Sequence, residues 1–162
     1  MKHILSVLVN NHAGVLSRVA GLFSRRGFNI DSLAVGVTNE ANISRMTIVV
    51  EGDENTVDQV QKQLAKLIDV IKVVKLDVDN SVHRELALIK VRADTAVRSE
   101  IMQIAEVFRA NIIDISKTTL TIEISGSGKK VEAMQTMLQP FGIMEDVRTG
   151  LISLERGEKT IV

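Results

Sequence analysis

The apolar segments of this chain run twice through the same six-element order, and that repetition limits the folds open to it. Residues 3–9 alternate and then turn continuously apolar, as a buried strand does. Val15, Leu16, Val19, Ala20, Leu22 and Phe23 follow with the spacing of a helix face. Arg25 and Arg26 sit in the last turn of that helix, and Gly27 is the expected stop. Residues 29–37 and 44–51 read as two strands around a polar turn at 38–42. After Gly52-Asp53-Glu54 a second helical face carries Val57, Val60, Leu64, Leu67 and Ile68, and residues 70–78 form a fourth strand. A short polar linker at 79–83 separates this unit, residues 1–78, from a second at 84–162. There the pattern restarts with a strand at 86–91 and a helix face of Ile101, Ile104, Ala105 and Phe108. Strands at 112–115 and 120–125 precede a helix carrying Val131, Met134, Met137 and Leu138, which Pro140 ends. A strand at 143–148 and a charged tail close the chain. Each half reads βαββαβ, so the fold class is α+β: two tandem ferredoxin-like units of antiparallel sheet with helices on one face.

The size of the units has a consequence. A domain of about 80 residues buries only about 60% of its unfolded surface. A four-stranded sheet with both helices on one side also leaves edge strands and much of its other face open. Self-association cures both faults, so a homodimer or larger assembly is expected.

Composition excludes several functions. Twenty basic residues balance twenty acidic ones, without the basic excess of a dedicated polyanion binder. There is no cysteine, hence no disulfide or thiolate chemistry, which suits a reducing compartment. The opening apolar run is too brief for a secretion signal, and no stretch approaches the roughly 20 apolar residues of a membrane span. These features predict a cytoplasmic protein. Four phenylalanines are the only aromatic residues, so the exposed stacking platforms of an RNA-binding βαββαβ domain are missing from the strand at 44–51. His3, His12 and His83 are scattered and lack metal-ligand spacing. Gly126-Ser127-Gly128-Lys129-Lys130 falls short of a phosphate-binding loop and reads as a helix start. Met102, Met134 and Met137 read as core filler on helical faces. No catalytic set emerges, so the chain reads as a sensor or adaptor and not an enzyme.

The one stretch that suggests a ligand is Asn10-Asn11-His12-Ala13-Gly14, where a strand gives way to a helix. The first backbone N–H groups of a helix have no partner within it, and they carry the positive end of its dipole. They suit a small anion such as a carboxylate. Gly14 lets a ligand approach the backbone, and Asn11 adds an amide that both donates and accepts. An ordinary capped turn has the same composition, so the residues alone leave both readings open.

The run Ile4-Leu5-Ser6-Val7-Leu8-Val9-Asn10-Asn11, with Gly14-Val15-Leu16-Ser17-Arg18-Val19, Gly21-Leu22-Phe23-Ser24 and Arg26-Gly27-Phe28-Asn29-Ile30, closely resembles the small, regulatory subunits of acetolactate synthase. Ser44-Arg45-Met46-Thr47-Ile48 and, in the second half, Phe108-Arg109-Ala110-Asn111-Ile112-Ile113-Asp114-Ile115 extend the resemblance over essentially the whole chain. It implies that the first unit is an ACT domain, an amino-acid-binding module that pairs side by side with a second copy. It also implies a thiamine-diphosphate-dependent catalytic subunit as partner, which the small subunit activates and makes sensitive to valine in branched-chain amino-acid synthesis. Thiamine diphosphate, Mg²⁺ and FAD would then belong to that partner and none to this chain. On this reading the effector-binding residues are Asn11, His12, Ala13, Gly14, Val15, Leu16, Asn29, Ile30 and Val35. Valine's carboxylate would meet the helix start behind Gly14, its ammonium the oxygens near Asn11, and its isopropyl group Val15, Leu16, Ile30 and Val35. Asn29 would close the site from a neighbouring subunit. Two other readings remain: a stand-alone tandem ACT-type sensor acting on another target such as transcription, and a dimerisation module without a ligand.

Overall fold

The computed structural model describes residues 1–161 and divides the chain into two compact units. The first is Met1–Val82 together with the segment from Leu151 onward, and the second is His83–Gly150.

In the first unit the elements are β1 (Lys2–Asn10), α1 (Val15–Arg26), β2 (Ile30–Val37), β3 (Ile43–Glu51), α2 (Glu54–Leu64) and β4 (Val70–Leu76). They build a sheet of order β2-β3-β1-β4 in which all neighbours are antiparallel. The two-residue period of a strand sends Leu5, Val7 and Val9 of β1 to one face, beside Met46, Ile48 and Val50 of β3. Val15, Val19, Leu22 and Phe23 of α1 and Val57, Val60 and Leu64 of α2 close over them as one core. Helix α2 starts on Asp53, whose carboxylate accepts the N–H of Thr56 at 2.8 Å.

The second unit repeats this plan with β5 (Ser81–Arg92), α3 (Arg98–Val107), β6 (Asn111–Ile115), β7 (Thr119–Gly126), α4 (Gly128–Leu138) and β8 (Ile143–Arg148). Its sheet order is β6-β7-β5-β8. Ala87, Ile89 and Val91, with Leu120, Ile122 and Ile124, face Ile101, Ala105, Val131, Met134 and Leu138. The Ser127 hydroxyl accepts the Lys130 N–H at 3.3 Å and so caps α4.

Several expectations need correction. Strand β5 already begins at Ser81, inside the expected linker. Helix α2 stops at Leu64, so Ile68 lies beyond the helical face assigned to it and is 89% exposed. Of the three methionines expected in the core only Met134 is interior. Met102 and Met137 are about half exposed, because Ile101 and Leu138 occupy the inward positions of their helices.

Residues from 151 onward group with the first compact unit, and they include a ninth strand, β9 (Ile152–Glu155). The Leu151 N–H donates to Ser32 Oγ at 3.1 Å, and Arg45 Nη2 donates to the Ser153 carbonyl at 2.8 Å. Leu151 packs on Ile4, Val49, Val74 and Leu76, on the sheet face away from the helices. Burial pushes the Arg45 guanidinium's pKa down, and the nearby Glu155 charge opposes that shift. Part of the sheet face away from the helices is thus covered by the chain's own C-terminal segment. Only the edge strands β2 and β4 of this sheet still lack a neighbour within it.

Candidate functional site

The turn between β1 and α1 is held from two sides. On one, the Asn11 N–H donates to the Asn42 carbonyl at 2.8 Å and Asn11 Nδ2 donates to the Ala41 carbonyl at 2.8 Å, which ties the turn to the β2–β3 hairpin. On the other, the Asn10 N–H donates to the Asp69 carbonyl at 2.9 Å, just before β4. Gly14 is the N-cap of α1 with φ 89° and ψ −14°. An L side chain is strained in that conformation, so the glycine is required by the backbone itself and not only by closeness to a ligand. No side chain caps α1, in contrast to α2 and α4, and no acidic residue lies in its first turn, in contrast to α2. The first-turn N–H groups of α1 therefore have no side-chain cap.

Asp69, which sequence reasoning passed over, binds two side chains of this turn. Its carboxylate accepts from His12 Nε2 at 2.8 Å and from Arg18 Nη1, and its side chain is only 9% exposed. Partial burial pushes this carboxyl's pKa up, but the hydrogen bonds and charges of Arg18 and His12 outweigh it and hold the pKa below the usual carboxylate value. The one clue in the sequence was an acidic residue inside the apolar run Leu67-Ile68-Asp69-Val70-Ile71.

The sign of the pH dependence follows. A depressed folded pKa contributes stability that is complete above the unfolded value, about 3.9, and is lost as pH falls through the lower folded value. Thermal unfolding of Asp69→Asn should accordingly fall less steeply than that of the unaltered chain as pH drops below about 4. Parallel curves would show that the carboxylate gains nothing from its two partners.

The expected site residues fall into three groups. Asn11, His12, Ala13 and Gly14 come together in the turn. Val15 is 3% exposed and points into the core, and Ile30 packs against that core, so neither lines an open pocket. Leu16 and Val35 are about half exposed. Asn29 lies apart. The β-sheet register aligns Ile30 with Val50 and Val50 with His3, whereas Asn11 follows the far end of β1. Seven residues of strand at about 3.3 Å each put these ends roughly 23 Å apart. One chain therefore does not unite Asn29 with Asn11. Asn29 Nδ2 instead donates to Asp31 Oδ1 at 3.2 Å.

Two tandem ferredoxin-like units, the first with a helix start that no side chain caps, define a two-domain α+β protein whose first unit has the ACT plan. Comparison with known proteins agrees. Residues 5–72 match the family model of the ACT domain of acetohydroxyacid synthase small subunits, and residues 84–157 match that of the small subunit of acetolactate synthase. The acetolactate synthase small subunit of Mycobacterium leprae is 55% identical, over 98% of this chain and 94% of its own. A probable acetolactate synthase small subunit of Archaeoglobus fulgidus is 52% identical, over 98% and 99% of the respective chains. The crystal structure of the small subunit from Thermotoga maritima superposes with a TM-score of 0.92 at 44% identity, covering 98% of this chain and 99% of that one. The chain belongs to the acetolactate synthase small-subunit family. Among the described residues no helix is long and apolar enough to cross a membrane.

Proposed function

We propose that this chain is the regulatory subunit of a cytoplasmic acetolactate synthase. It binds a thiamine-diphosphate-dependent catalytic subunit, raises its activity, and makes it subject to feedback inhibition by valine. Thiamine diphosphate, Mg²⁺ and FAD are assigned to the catalytic partner, and this chain contributes no catalytic residue. The observation that carries the effector reading is the helix start of α1, uncapped by any side chain and flanked by Asn11. A carboxylate at that helix start gains the dipole and the first-turn N–H groups. With Asn11 Nδ2 committed to Ala41, its side-chain oxygen is the acceptor left for the effector's ammonium. The separation of Asn29 from the turn supports a site shared between two copies, with Asn29 arriving from the neighbour. The unpaired edge of β2 supports a side-by-side dimer, since strands from two copies would extend one sheet. Valine then acts by binding one subunit arrangement more tightly than another.

Isothermal titration of the full chain with L-valine tests this, because heat is a usable signal in a chain without tryptophan. Saturable binding is expected, weakened at least tenfold by Asn11→Ala. Co-purification with the catalytic subunit separates the proposal from a stand-alone amino-acid sensor. No binding by the chain, either alone or assembled with the catalytic subunit, would sink the effector reading.

A further inference from the structure

Resting on that effector reading, we propose that the Arg18 guanidinium recognises the carboxylate of the effector, and that Asp69 is the positioning residue that aims it. Arg18 lies one turn into α1, and its N–H makes the first helical hydrogen bond, to the Gly14 carbonyl at 3.0 Å. Side chains on a helix lean toward its N-terminus, which carries this guanidinium back over the start of α1. Its Nη1 pairs with Asp69 Oδ2. Its Nη2 lies 3.9 Å from the point that a Cβ on Gly14 would occupy, at the mouth of the helix. The Arg18 side chain is about half exposed, so a ligand can reach it.

Asp69 cannot easily swing away. The same carboxylate accepts from His12, and the residue's carbonyl accepts the Asn10 N–H. A planar guanidinium paired through Nη1 keeps its remaining donors in one plane, with Nη2 toward the helix start. Carboxylates favour such donors, and a charge-assisted hydrogen bond is stronger than a neutral one. The helix start supplies dipole and N–H groups, and Arg18, its charge shared with Asp69, adds further N–H donors beside them. The competing account is that Arg18 and Asp69 merely tie α1 to the segment before β4. It predicts that breaking the pair weakens every ligand alike.

L-Valinamide separates the two accounts, because it keeps the isopropyl group and the ammonium of valine but has no carboxylate. Both compounds are titrated at pH 7 into the full chain, Arg18→Gln, Arg18→Lys and Asp69→Asn. The unaltered chain should prefer valine. In Arg18→Gln the valine affinity should fall about 10- to 100-fold while that for valinamide holds, so the preference collapses. Arg18→Lys should recover part of it, and Asp69→Asn should weaken valine severalfold and spare valinamide. Equal losses for both ligands, or an Arg18→Gln chain that binds valine normally, overturn the assignment. That second result together with a normal Asn11→Ala loss overturns this inference alone. An unaltered chain that binds no valine, free or assembled, removes the effector reading and this inference with it.

Discussion

Gly14→Asp is expected to abolish valine inhibition of the reconstituted enzyme, and two separate costs can be told apart. The first is conformational. At φ 89° an L side chain is strained, at a cost of about 1–2 kcal/mol. Space is not the obstacle, since the nearest atom to an added Cβ is Arg18 Nη2 at 3.9 Å. The second cost is electrostatic. A carboxylate introduced at the helix start takes up the donors meant for the effector and repels its charge. Two like charges about 4 Å apart interact by about 4 kcal/mol at an effective dielectric constant near 20, on the order of a thousandfold in affinity. Gly14→Ala carries the strain without the charge. It should lower the unfolding temperature at least as much as Gly14→Asp does, since Asp tolerates a positive φ better and can cap the helix, yet keep most of the response to valine. The measurement is activity of the assembled subunits against valine concentration, alongside thermal unfolding of each variant. Equal loss of response in both variants would make the turn's conformation, and not its charge, the determinant. Retained inhibition in Gly14→Asp would place the effector elsewhere.

Ending the chain after Gly150 should destabilise the first unit by about 3–5 kcal/mol, because the lost segment buries Ile161 and packs Leu151 on the sheet, and a fully buried aliphatic side chain contributes about 1.5–3 kcal/mol. The loss is large against a typical domain stability of about 5–15 kcal/mol. It also uncovers Ile4, Leu8, Val49 and Leu76, all now at most 7% exposed, and leaves the half-buried Arg45 without its Ser153 carbonyl partner. A contiguous apolar face of that kind promotes association. Denaturant unfolding of the shortened chain should show the lower stability, and light scattering a larger particle. Hydrogen exchange should place the new exposure in residues 1–82 and leave protection in α3 and α4 unchanged. A shortened chain as stable and as small as the full one would show that the tail only rests on the sheet.

The limits of sequence reasoning follow from these two cases. The Asn11–Gly14 turn was legible because a strand pattern ends at two asparagines and a helix pattern begins after a glycine, all within a few residues. The tail was not, because Leu151, Ser153 and Ile161 meet Ile4, Val49 and Arg45 across more than a hundred residues, and in the sequence they sit among charges that read as solvated. Asp69 was hidden for the same reason. Its partners His12 and Arg18 lie more than fifty residues earlier, and nothing near it in the chain announces a pairing.

Periodicity is a local property, so the amino-acid sequence was sufficient to determine the two βαββαβ units, most of the inward positions of their strands and helices, and the strand-to-helix turn at Asn11–Gly14. Its resemblance to a known family extended that to function. The folded chain settled which distant groups meet: a C-terminal segment on the first sheet, Val15 turned into the core, Asn29 at the far end of the sheet from Asn11, and Asp69 holding both His12 and Arg18. Each of these depends on backbone segments brought together by strand pairing, and no spacing along the chain encodes that directly.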